Sequence, residues 1–214
     1  MNLIEIDLKP LPENLREWVD YEITLSNAHD CGVKLMNKRR IDLDGLGCSG
    51  FFRDDDPQLV VACAKPAREW VKILVHETCH RDQWIEQCPE WRKTVDGHDP
   101  LTWLDEWLRH DTELRGAKLS AVLTASAAIE LDCEKRSVEK IKEFELPIDI
   151  WEYRKKANAY VWFYQAMRYS RRWWVKGKSP YQVDAVWKAM PNDFDNDYTK
   201  IPRKFKDLIL EHCF

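Results

Sequence analysis

Residues 58–87 read QLVVACAKPAREWVKILVHETCHRDQWIEQ, and this stretch decides the fold. Its first seven residues are mostly apolar, with adjacent valines, and predict a strand over 58–64. Pro66 suits a first helical position and neither Gly nor Pro recurs until Pro89, so a helix is expected over 67–87. At about 100° per residue, Ile73, His76, Glu77, His80 and Trp84 share one arc of that helix. Val71, Leu74, Val75 and Thr78 cover the opposite side, which predicts a largely buried helix.

Outward from this stretch the texture changes. Residues 31–65 hold Gly32, Gly45, Gly47 and Gly50 between apolar or alternating runs at 33–36 and 58–62, which predicts the only sheet, of about three short strands. Asp54, Asp55, Asp56 and Pro57 mark a turn before the last of them. Ahead of the sheet, Leu15, Trp18, Val19 and Ile23 give residues 12–27 a helical spacing. Beyond Pro89, Asp99 and Pro100 open a helix running towards Gly116. Long helices are expected over 118–144, stopped by Pro147, and over 149–172, ending near Gly177. Ser179 and Pro180 start a short helix to Met190, and Pro202 starts a last one. The expected fold class is α+β, a small N-terminal β-sheet followed by a mainly helical domain. It is read as a single domain over 1–214, with 1–65 sheet-rich, 66–145 carrying the site and 146–214 adding C-terminal helices.

Composition narrows the function. A chain of 214 residues with 44% hydrophobic residues suits one core, and seven Gly against eleven Trp favours helices packed through large rings. The formal charge of −4 argues against a general nucleic-acid coat. No run approaches the ~18 apolar residues of a membrane span, and MNLIEIDLKP has acids where a signal peptide has a basic start, so a cytoplasmic protein without a membrane partner is expected. Seven cysteines without a CxxC pair suggest free thiols in a reducing compartment.

The chemistry lies in His76-Glu77-Thr78-Cys79-His80, an HExxH. Four residues is about one helical turn, so the two imidazoles can meet on one Zn2+ while Glu77, beside them, reaches a water on the ion without ligating it. Cys79 points about 110° away from that arc and is not expected to ligate. Two candidates compete for the third ligand. Glu130 falls inside the buried arc of the helix 118–144, where an acid needs a reason; His98, in Asp-Gly-His-Asp-Pro, can fold back from the end of the active helix. Glu134, one turn beyond Glu130, is a candidate acceptor for the free N–H of a ligating histidine. Asp132 reads as a surface charge, and His29, His110 and His212 lack comparable context.

These residues resemble the zincin metallopeptidases over roughly 58–134. A strand followed by an HExxH helix is similar to their edge strand and active helix, and Glu130 with Glu134 matches the later helix of gluzincins. The Gly-His-Asp-Pro string is similar to the third-ligand region of SprT-type proteases, which cut proteins crosslinked to DNA. Glu-Leu-Asp-Cys-Glu, with the helix around Asn158-Ala-Tyr, resembles zincin-like proteins of bacteriophages. The likeness implies a zinc metallopeptidase acting on peptide or protein substrates, with Glu77 as general base. The alternatives are a zincin-fold binding or structural protein with little turnover, and a SprT-like protease acting on DNA-bound proteins. Tyr153, Tyr160, Tyr164 and His110 are candidate oxyanion donors. Arg168, Arg171, Arg172, Lys176 and Lys178 beside Trp173 and Trp174 offer either a nucleic-acid contact or charges that end a helix over packed indoles.

Overall fold

The computed structural model describes residues 2–43 and 46–214. Gly45, one of the glycines that mark the sheet-rich segment, and Met1 lie outside them. The fold class is α+β, a small N-terminal mixed sheet with seven helices among the described residues. The chain divides into two compact units, Met1–Cys88 with Lys135–Ile148, and Pro89–Glu134 with Asp149–Phe214.

The first unit contains strand β1 (Leu3–Ile4), helix α1 (Glu13–Ala28), strands β2 (Gly32–Met36), β3 (Ile41–Leu43), β4 (Leu46–Cys48), β5 (Gly50–Arg53) and β6 (Gln58–Ala62), and helix α2 (Ala67–Glu86). Its main sheet has the order β1-β2-β6-β5. β1 and β2 pair in parallel, β2 and β6 pair in parallel from Gly32↔Gln58 to Met36↔Ala62, and β5 runs antiparallel on β6 as an edge strand. β3 and β4 form a separate antiparallel pair. The expected single sheet of about three strands is thus too small on two counts. β1 lies outside the glycine-rich segment, where two apolar residues among acids give no alternation to read, and its pairing is a tertiary matter.

α2 follows the turn after β6 and packs on β5 and β6. Trp70, Val71, Leu74, Val75, Thr78 and Cys79 are buried, as its apolar circumference requires. It ends in a left-handed Gln87, whose N–H returns to the carbonyls of Gln83 and Trp84.

An unexpected feature of this unit is Arg81, directly after the HExxH, which is 0% exposed. Its Nη2 donates to Glu22 Oε2 at 2.7 Å, its Nη1 to Ser26 Oγ at 2.7 Å and its Nε to Asp82 Oδ1 at 3.0 Å. Lys140, on the end of helix α4 (Gly116–Glu143) that belongs to this unit, donates to Asp82 Oδ2 at 2.7 Å and pairs with Glu22 Oε1 at 2.9 Å. A buried charge is tolerated only when paired and hydrogen-bonded, so this network sets the register of α1, α2 and the last turns of α4.

The second unit is helical. It holds α3 (Pro100–Leu108), the first turns of α4, α5 (Ile150–Ser170), α6 (Asp184–Trp187) and α7 (Arg203–Cys213). Asp99 and Asp149 cap α3 and α5 through the amides of Thr102 and Glu152. α3 stops well before Gly116, because His110 takes a left-handed conformation with φ 67°. α6 is one turn rather than a helix from Ser179 to Met190, since the Ser179 hydroxyl binds the Gln182 side chain instead of capping a helix. The core of this unit is aromatic, with Trp103, Trp107, Trp162, Phe163, Tyr164 and Phe205 buried. Among the described residues, no helix is long and apolar enough to cross a membrane.

Arg81→Met leaves the Glu22 carboxylate buried without its guanidinium, and urea unfolding is expected to show a loss of about 3–5 kcal/mol. The same network has a pH signature. Burial works against the Asp82 charge, but Lys140 and Arg81 outweigh it and hold the carboxyl below its ordinary 3.8. Its contribution is present above that value and lost as pH falls through the folded one. Burial also works against the Lys140 charge, and Cys79, Glu22 and Asp82 outweigh it, holding the amine above its ordinary 10.5. That contribution is complete below 10.5 and lost as pH rises through the folded value. Thermal-unfolding midpoints should therefore show a plateau that falls away at both ends.

Candidate metal centre

One turn of α2 brings the two histidines together. His76 Nε2 and His80 Nε2 stand 3.1 Å apart, with the rings 87° from coplanar and their centroids at 4.7 Å. Two nitrogens each ~2.0–2.1 Å from one tetrahedral ion stand about 3.3 Å apart, so this approach fits a shared zinc. The second nitrogen of His80 explains its aim. His80 Nδ1 lies 2.8 Å from Gln83 Oε1, and an amide oxygen can only accept, so the proton sits on Nδ1 and the Nε2 lone pair faces His76.

Glu77 is buried on the same helix, beneath strand β5. A Cβ at Gly50 would meet Ile73 Cγ2 at 2.5 Å and Glu77 Oε1 at 3.1 Å, so only glycine lets the edge strand lie this close to the carboxylate. Cys48 feels the same carboxylate. Burial first, and Glu77 second, push its thiol up to about 11, so it stays protonated near neutral pH. Cys79 is buried on α2. The described residues include clusters of histidine, cysteine and acidic side chains that could hold a metal ion, and His76 and His80 belong to one of them.

In the second unit, Glu130 and Glu134 are both buried on α4, at 6% exposed each. Glu130 Oε1 accepts from Tyr164 Oη at 2.9 Å, and Tyr160 Oη lies 3.4 Å from the same oxygen. Burial, and after it the Glu130 charge, hold both phenols well above their ordinary range, so they remain donors. Asp132 is half-buried rather than a plain surface charge. On the same helix Arg136 pairs with Glu86, and Lys140 with Asp82 and Glu22. His98 is exposed and its ring stacks on Trp103 at 4.1 Å, closing a bridge with Val95. Tyr153 is buried on α5, and His110 is exposed at the end of α3.

Part of the basic cluster makes contacts within its own unit. Arg171 donates to the carbonyls of Trp107 and Thr112 and pairs with Glu113, while Arg168 donates to Ser120 Oγ. Arg172 stands over the Phe214 ring, Trp173 stacks on Phe163, and Trp174 meets Phe163, Tyr160 and Tyr181 edge-on. Lys176 and Lys178 are exposed.

No family model, curated protein or solved structure matches this chain. Sequence reasoning passed over Gln83, although a residue three positions beyond His80 on one helix is its spatial neighbour. It also passed over Arg81, whose partner Glu22 is 59 residues away and gives no local signal.

Where His76 and His80 hold a metal ion, Gln83→Leu is expected to weaken its binding about 10–100-fold, because it removes the acceptor that aims His80. Competition with a chromogenic chelator measures this. Gly50→Ala is expected to lower stability by about 1–3 kcal/mol through overpacking against Ile73 and Glu77, read by thermal denaturation.

Proposed function

We propose that the protein is a zinc-dependent metallopeptidase in which His76 and His80 hold the ion and Glu77 is the general base. The observation that carries this reading is the facing pair of imidazole nitrogens with a buried carboxylate next in sequence.

When bound, zinc lowers the pKa of a water towards ~7 and polarises the carbonyl to be attacked. Glu77 takes the proton from the attacking water and returns it to the leaving nitrogen, one group serving as base and then acid. Its burial under β5 keeps bulk water from competing for that proton. Gln83 holds the His80 ring oriented through its Nδ1–H. β5 ends the sheet, so an extended substrate can add to it as a further strand, and its peptide carbonyls then run past Glu77.

Purified protein is expected to carry about one equivalent of zinc, which His76→Ala removes. Glu77→Gln should keep the metal while peptide hydrolysis falls at least ~100-fold. A wild type without metal, or one holding it in a closed ligand set, would overturn the assignment.

A further inference from the structure

A cavity of about 240 Å3 is built wholly from the second unit. Gln165, Arg168 and Tyr169, from the last turns of α5, line it together with Thr199, Lys200 and Ile201, from the segment that leads into α7. This is far more than the ~15 Å3 that admits one water and just below the ~300–1,000 Å3 of pockets for drug-sized ligands. A small molecule, or one end of a larger one, fits.

The lining carries two cations and no acid. Arg168 gives one N–H to the neutral Ser120 hydroxyl at 3.0 Å, and among the described residues no carboxylate pairs with it. A guanidinium has five N–H donors, so most of them are left for another partner. Lys200 is exposed and has no ion pair among the described residues. The acids near it in sequence are engaged: Asp197 accepts from the Thr199 amide at 2.8 Å, and Asp207 pairs with Arg203 and Lys206. The dipole of α5 accounts for an arginine in its last turn. Lys200 stands outside any helix, so the dipole gives no reason for a second cation on the same cavity.

Gln165 adds a demand of another kind. It is 1% exposed, its Nε2 donates to Thr124 Oγ1 at 3.4 Å, and its Oε1 has no donor among the described residues. An amide oxygen can only accept, so an occupant that satisfies it brings a hydrogen as well as negative charge. A phosphate group, whose second pKa is about 6, meets both demands, whereas sulfate has no hydrogen to give.

We infer that this cavity binds the phosphate group of a small molecule. Arg168 forks two phosphate oxygens, Lys200 balances the remaining charge and Gln165 accepts from the phosphate hydroxyl. The Tyr169 ring, 56% exposed with Lys206 Nζ 5.1 Å over it, borders the cavity on the side open to the rest of the ligand. The site stands independently of the metallopeptidase reading.

Calorimetric titration of the full chain with inorganic phosphate tests it, with sulfate as the comparison. Phosphate is expected to bind at least about tenfold more tightly than sulfate. Arg168→Met should weaken phosphate binding about 10–100-fold and Lys200→Met about 3–10-fold. Lys200 is exposed, so its variant carries the test should Arg168→Met fail to fold. Titration with AMP identifies the source of the phosphate. Tighter binding than inorganic phosphate, by a margin that Tyr169→Ala removes, makes the ligand a nucleotide, and equal binding makes it phosphate itself; either supports the site. A wild type that takes up no phosphate at millimolar concentration, or one that binds sulfate equally well, overturns the assignment. So do Arg168→Met and Lys200→Met proteins that bind phosphate as the wild type does, since the anion is then held elsewhere, for instance by a metal ion.

Discussion

The guanidinium of Arg81, sealed inside the first unit, is the constraint on which the geometry of α2 depends. A charged group without contact with water must have nearly all its donors matched, and here the matches come from Glu22, Ser26 and Asp82. Such a fork tolerates little rotation of the helix that carries it. Because Arg81 follows His80 by one residue, about 100° round the helix, fixing one direction fixes the other. The aim of the imidazoles is thus set by ion pairs that do not touch them.

Within each unit, donors and acceptors are matched to the groups they orient. His80 is turned by a neutral amide oxygen rather than by a carboxylate, which selects the tautomer without adding negative charge. Glu130 is approached by phenols that burial keeps protonated, so they can only donate to it or to each other. Glu77 has a strand backbone pressed against it, and the absence of a side chain at Gly50 is what allows that approach. In each case a neighbouring group decides how the side chain is held.

The abundance of tryptophan also finds its use. Trp173 and Trp174 join Phe163, Tyr160 and Tyr181 in edge and stacked contacts, and Trp107 and Phe214 lie under Arg171 and Arg172. Arginine over an aromatic face is held by the ring quadrupole as well as by its hydrogen bonds. The arginines and indoles of the basic cluster make these contacts within their own unit.

Local pattern was enough to place α1, α2, α4 and α5, because helical periodicity, capping aspartates and flanking prolines are all encoded within a few residues. It was also enough to put His76, Glu77 and His80 on one face of a helix, since a four-residue spacing determines that wherever the helix forms. Strand β1, the separation of β3 and β4 into their own pair, and the early stop of α3 at His110 were not legible, since each depends on contacts outside its own segment. Above all, the sequence could show that Glu130 and Arg81 were acid and base at helical positions, but not that one meets two phenols and the other a glutamate 59 residues away. Hydrogen bonds of that kind join distant parts of the chain, and only folding brings their atoms within 3 Å of one another.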